Sequence, residues 1–176
     1  MWLSIHMIVH GTAACSCRHV MNVGLISTAN LHLRMECQGR SSVRYTKLVT
    51  ITQNLDLKVD DGTTAESALF DELVTVHGDI NIEVIDDSRL TDLSFPKLKI
   101  VHGDLTLRVY DDSRISTLAF PELQRVHGDF KVIVHDESRI GELRFPLLQQ
   151  LSLFDIMVSS CSRSDDVVLG KETNSE

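Results

Sequence analysis

The chain has 176 residues and a net charge of −8, with 43% hydrophobic and only 5% aromatic residues. That composition excludes global disorder and fits one domain of ordinary size, with a core drawn mainly from Leu, Ile and Val. The charge is uneven: +4 over residues 1–51, −9 over 52–151 and −3 over 152–176. An acidic repeat region argues against a nucleic-acid partner.

Residues 1–27 are read as an irregular N-terminal segment. Trp2–Val9 is a short apolar stretch, and Thr12-Ala13-Ala14-Cys15 offers small residues of the kind a signal peptidase accepts. No Lys or Arg precedes that stretch and His6 interrupts it, so a secretory signal and an unstructured leader both stay open. Localisation is left undecided, with secretion or the cell surface among the open readings. No transmembrane segment is expected, because no run approaches the ~20 apolar residues a span requires. Cys15, Cys17, Cys37 and Cys161 fall outside the regular repeats. They would be end staples in a secreted protein and free thiols in a cytosolic one.

A 25-residue period dominates the middle of the chain. His-Gly-Asp recurs at 77–79, 102–104 and 127–129, Ser-Arg at 88–89, 113–114 and 138–139, and Phe-Pro at 95–96, 120–121 and 145–146. Such self-similarity decides the fold class. Coils are predicted at 28–51, 52–76, 77–101, 102–126 and 127–151, with a partial coil to Val158. In each, apolar residues alternate with polar ones: Ile80, Ile82 and Val84 around Asn81 and Glu83, then Leu105, Leu107 and Val109 around Thr106 and Arg108. Period two is the mark of a strand with one buried face. The wider spacing of Ile115, Leu118 and Phe120, with Pro96, Pro121 and Pro146 beyond, predicts a second arm of short extended pieces. The expected fold is all-β: a right-handed parallel β-solenoid of about five coils of 24–25 residues over 28–158. Residues 159–176 are read as a polar, disordered tail.

The pattern Phe-Pro-x-Leu-x-x-Val-x-Gly-Asp-Leu-x-Leu, at 95–107 and (with Phe130 and Val132) at 120–132, resembles the receptor L-domain family. That resemblance implies a β-helix of leucine-rich-repeat character and a role in ligand binding.

Four ladders stand out, all read as structural. His77, His102 and His127 precede glycines expected to make a left-handed corner, with Asp79, Asp104 and Asp129 as hydrogen-bond acceptors. A metal or pH-sensing stripe is the competing reading of the histidines. The acids Asp86, Asp111 and Asp136, each followed by a second acid, repel along the stack by roughly 0.8 kcal/mol per pair in bulk water. Arg89, Arg114 and Arg139 are expected to offset this, so Arg114→Ala should destabilise; a calcium stripe is the alternative. The outward strand positions Asn81, Glu83, Thr106, Arg108, Lys131 and Ile133 vary while the core does not, which makes them the candidate binding face.

No catalytic residue, metal ligand or cofactor site is predicted, since no coil breaks the symmetry with a base set apart from the repeat. The expected function is a non-catalytic repeat scaffold or recognition module that binds a protein or glycan. The alternatives are a cation-dependent polysaccharide-active β-helical enzyme and a repeat fragment of a longer protein. Phe154, Ile156 and Val158 are read as a final rung with a poorly covered edge, which leaves two readings open: a homodimer through the C-terminal strand edge, or a truncated piece of a longer solenoid.

Overall fold

The computed structural model describes residues 4–11, 18–21, 26–27, 30–37, 41–60, 63–150, 152–158 and 163–169. It is an all-β parallel solenoid of about five turns, with no helix among the described residues. Successive coils contribute strands to two seven-stranded sheets, and five of them also contribute to a third, five-stranded sheet; all pairings between neighbouring coils are parallel among the described residues.

The first sheet has seven strands and carries the period-two segments: Leu55–Val59, Ile80–Val84, Leu105–Val109 and Asp129–Val134 run through its centre. Register follows the repeat, with Ile80 opposite Leu105 and Leu105 opposite Phe130. Inward residues are buried and outward ones are mostly half-buried, as alternation demands. The second sheet also has seven strands, including Arg89–Ser94, Arg114–Ala119 and Arg139–Phe145. So the second arm is a regular strand, not a set of short pieces. The third sheet is built from two-residue strands such as Thr75–Val76 and Ile100–Val101.

Pairing reaches beyond the 28–158 span. Ser4–Gly11 pairs with Asn30–Cys37, and Arg163–Leu169 pairs with Arg139–Phe145. Cys15, Cys17 and Cys161, and the ends of the candidate signal segment, lie outside the described residues. The 24-residue coil is accommodated locally: the offset is 24 at Ser41–Ala65 and 25 at Val43–Ala68, with a register shift between Ser41 and Ser42. In the last rung, Phe130 faces Phe154 and Val134 faces Val158. The offset there is 24 residues, so the corner is one residue shorter and the strand register is intact.

The core is one continuous cluster along the axis, mostly aliphatic. The few aromatics are concentrated within it. Tyr45, Phe70, Phe95 and Phe120 stack face to face, with ring centroids 4.4, 4.6 and 4.9 Å apart. At the C-terminal end the stack gives way to an edge-to-face group, because Phe130 occupies the column held by Leu105 and Ile80 above it. Phe130 meets Phe145 at 5.0 Å and Phe154 at 5.1 Å.

Two polar ladders fix the corners. Asp79 Oδ1 accepts the Asp104 N–H at 2.9 Å, and Asp104 Oδ1 accepts the Asp129 N–H at 2.8 Å. The glycines before these aspartates serve close approach: a Cβ on Gly103 would stand 2.1 Å from Asp79 Oδ1. The left-handed residues lie elsewhere, at Asp86, Asp87, Asp111, Asp112, Asp136 and Glu137, with φ between 53° and 59°. Two consecutive left-handed residues make a type I′ turn, in which Ser88 N–H donates to Ile85 O and Ser138 N–H to His135 O. The serines closing these turns are fully buried, and each Oγ accepts an N–H from the coil above: Thr63 to Ser88, Ser88 to Ser113, Ser113 to Ser138.

Glycine is the favoured second residue of a type I′ turn, and a left-handed non-glycine residue costs on the order of 1 kcal/mol. Asp61-Gly62 already occupies the equivalent sequence position one coil earlier. Glu137→Gly is therefore expected to raise stability by about 0.5–1 kcal/mol, measured as a shift in the urea midpoint. An unchanged or lowered midpoint would show that the turn carries no such strain.

Candidate functional site

The outward face of the first sheet brings together all six candidate binding residues. They form two columns set by strand register. One column runs His32, Asp56, Asn81, Thr106, Lys131, Asp155; the other runs Arg34, Lys58, Glu83, Arg108, Ile133, Met157. Thr106 is buried and the other five candidates are half-buried.

Toward the N-terminal end the face is closed by its own contacts. Asp60 is 1% exposed and lies between Arg34, at 3.0 Å, and Lys58, at 3.1 Å. Asp56 takes His32 Nδ1 at 2.9 Å and Asn81 Nδ2 at 2.8 Å. Glu83 pairs with Arg108 across adjacent coils at 3.6 Å. Lys131 instead turns toward the corner, where Asp129 Oδ2 holds it at 2.8 Å. That hydrogen bond, and then the carboxylate's charge, raises the ammonium above its usual range. Ile133 and Met157, next in the second column, bring apolar surface to the face.

Sequence reasoning passed over Tyr110, at the exit of the Leu105–Val109 strand. The phenol is half-buried, and burial first, then the charge of Glu83, raises its pKa. Its equivalents in the neighbouring coils are Ile85 and His135, so the signal was a change of residue within one repeat column.

The other ladders are exposed. Asp86, Asp87, Asp111, Asp112, Asp136 and Glu137 line one corner, and Arg89, Arg114 and Arg139 stack in register beside it. No ion pair within 4.0 Å links these arginines to those acids among the described residues, so any offset acts through solvent. Arg114→Ala is accordingly expected to move stability by no more than about 0.5 kcal/mol in either direction, as read from a denaturation midpoint. A larger loss at low salt would restore the charge-offset account.

The His77 and His102 rings lie parallel at 4.8 Å, and His127 meets His102 edge-on at 4.8 Å. Among the described residues no three His, Cys, Asp or Glu side chains are grouped so as to hold a metal. Desolvation of this largely exposed ring first, then the charges of His127 and His77, lowers the His102 pKa from its ordinary 6.5. The unfolded chain thus binds this proton more tightly than the fold does. The contribution is fully present above 6.5 and falls away as pH drops through that value toward the folded pKa. Replacing His102 with Asn should flatten the melting-temperature profile between about pH 7.5 and about pH 5.5. A profile identical to that of the unaltered protein would show the imidazoles to be electrostatically independent.

No family model, curated protein or solved structure matches the chain. No helix is long and apolar enough to cross a membrane among the described residues.

Proposed function

We propose that this solenoid is a non-catalytic scaffold that recognises a glycan or protein through the outward face of its first sheet. The observation behind this reading is the contrast between columns. Inward positions repeat Leu, Ile, Val and Phe, whereas outward positions change identity in every coil. Solenoids bind through faces of this kind. The surface beyond the Asp56 and Asp60 contacts lies toward the C-terminal half, around the half-buried Arg108, Lys131 and Ile133, with Tyr110 at its margin. An aromatic ring beside an Arg–Glu pair and hydroxyl and amide groups suits a sugar's mixture of apolar faces and hydroxyls. The motif likeness to receptor L domains supports ligand recognition and a leucine-rich-repeat-like ancestry in the same reading.

A panel of immobilised neutral and acidic oligosaccharides tests it, with Tyr110→Ala and Arg108→Ala as paired variants. Binding by the unaltered chain that falls at least tenfold in both variants, with unchanged melting temperature, is the expected result. Binding that survives both substitutions would place recognition elsewhere. If binding is absent and polysaccharides shorten in the presence of calcium, the reading gives way to an enzyme.

A further inference from the structure

His77, His102 and His127 follow directly on the third-sheet strands Thr75–Val76, Ile100–Val101 and Arg125–Val126. All three are exposed. None of their imidazoles enters a hydrogen bond or an ion pair among the described residues; the rings face one another. The corner is held by other groups. Asp79 and Asp104 accept main-chain N–H groups of the next coil, and Gly78 and Gly103 allow the close approach. One coil earlier Thr52 takes the place of His77, with the same strand register before it. The turn therefore closes without an imidazole, and its geometry does not account for the histidines.

We propose that His77 and His102 together bind one divalent transition-metal ion of the class that prefers imidazole nitrogen, such as zinc. A Zn–N bond of about 2.0–2.1 Å lets one ion join nitrogens up to about 4.2 Å apart. The two rings lie parallel with centroids 4.8 Å apart, so rotation of two exposed side chains closes the difference. Parallel rings can turn equivalent nitrogens toward one point, whereas His127 meets His102 edge-on. The exposed Arg125 also stands two residues before His127, where His77 and His102 have the uncharged Thr75 and Ile100. His77 and His127 lie two coils apart, beyond the reach of a single ion. Two imidazoles leave the other coordination positions to water, and among the described residues no group of three ligands competes for the metal. The crowding that lowers the His102 pKa favours the neutral ring a metal requires. An ion held this way ties two successive coils together, so it stabilises the fold it binds. The site is separate from the outward face of the first sheet and does not depend on what that face recognises.

Calorimetric titration of the full chain with zinc chloride at about pH 7.5, where imidazole is neutral, provides the test. The cysteines are alkylated first, so that thiolates do not compete for the metal. The expected result is one ion per chain with micromolar affinity and a melting temperature raised by zinc. His77→Asn and His102→Asn should each weaken binding at least about tenfold, while His127→Asn should change it less than about twofold. All three side chains are exposed, so each variant should keep the parent's circular dichroism. Absence of binding at millimolar zinc overturns the proposal. Binding that survives His102→Asn overturns it too, because the ion then sits elsewhere. So does a loss on His127→Asn as large as that on His77→Asn, which would assign the metal to a different set of ligands.

Discussion

Gly103→Ala is expected to cost about 3 kcal/mol or more, enough to leave much of the population unfolded at physiological temperature. The added Cβ would lie 2.1 Å from Asp79 Oδ1, 2.7 Å from the Gly78 carbonyl carbon and 2.8 Å from its oxygen. Neither neighbour can yield cheaply. Asp79 Oδ1 is fixed by the Asp104 N–H at 2.9 Å, and Gly78 O accepts the Gly103 N–H at 3.1 Å. Relief requires parting two coils at the corner, which breaks both bonds and exposes the core beneath. The cause is space, and φ plays no part, since Gly103 does not adopt a left-handed φ. Asn separates the two explanations. It tolerates a left-handed conformation but carries a Cβ, so Gly103→Asn should be as damaging as Gly103→Ala. Urea denaturation of both variants decides: a well-tolerated Asn would mean the corner needs only the dihedral.

The same corner shows where the sequence was informative and where it was not. Three markers on one period of 25 revealed the coil, and alternation at Ile80–Val84 revealed the first-sheet strand with its inward and outward faces. The second-sheet strand hid because its pairing skips a residue. Leu90 and Asp92 have partners in the next coil, at Ile115 and Thr117, and Thr91 has none in that ladder. Inward residues therefore fall at Leu90, Leu93 and Phe95, a spacing that imitates no regular element. The glycine and aspartate columns were visible as repeats, but their role was not. A repeated Gly is compatible with a turn or with a close contact, and only the neighbouring coil's carboxylate decides between them. On the outward face the Glu83–Arg108 pair follows from strand adjacency alone. The hydrogen bond from Asn81 to Asp56 and the placing of Tyr110 beside Glu83 depend on side-chain reach, which periodicity does not encode.

Phe120→Ala is the other substitution with a large expected effect, about 3–5 kcal/mol. The ring is fully buried and stacks on Phe95 at 4.9 Å, where the face-to-face column ends. Below it, Phe145 turns edge-on toward Phe130 instead. Removing the ring takes away the partner of one stack and leaves a gap at the junction between two aromatic arrangements. Main-chain pairing holds the coils at a fixed spacing: Phe120 N–H donates to Arg144 O at 2.8 Å, and Phe95 N–H donates to Ala119 O at 3.0 Å. The coils therefore cannot slide together to fill the gap, and the penalty should sit toward the upper end of that range. Because a solenoid coil contacts only its neighbours, the loss should also split cooperativity. Unfolding followed by far-UV circular dichroism should broaden or resolve into two transitions, and amides of Arg139–Phe145 should exchange before those of Leu55–Val59. Phe120→Leu keeps most of the volume and should cost less than about half as much while preserving a single transition. If Phe120→Ala unfolds as sharply as the parent with only a small shift in midpoint, the aromatic column is filler and the polar corner ladders carry the coupling between coils.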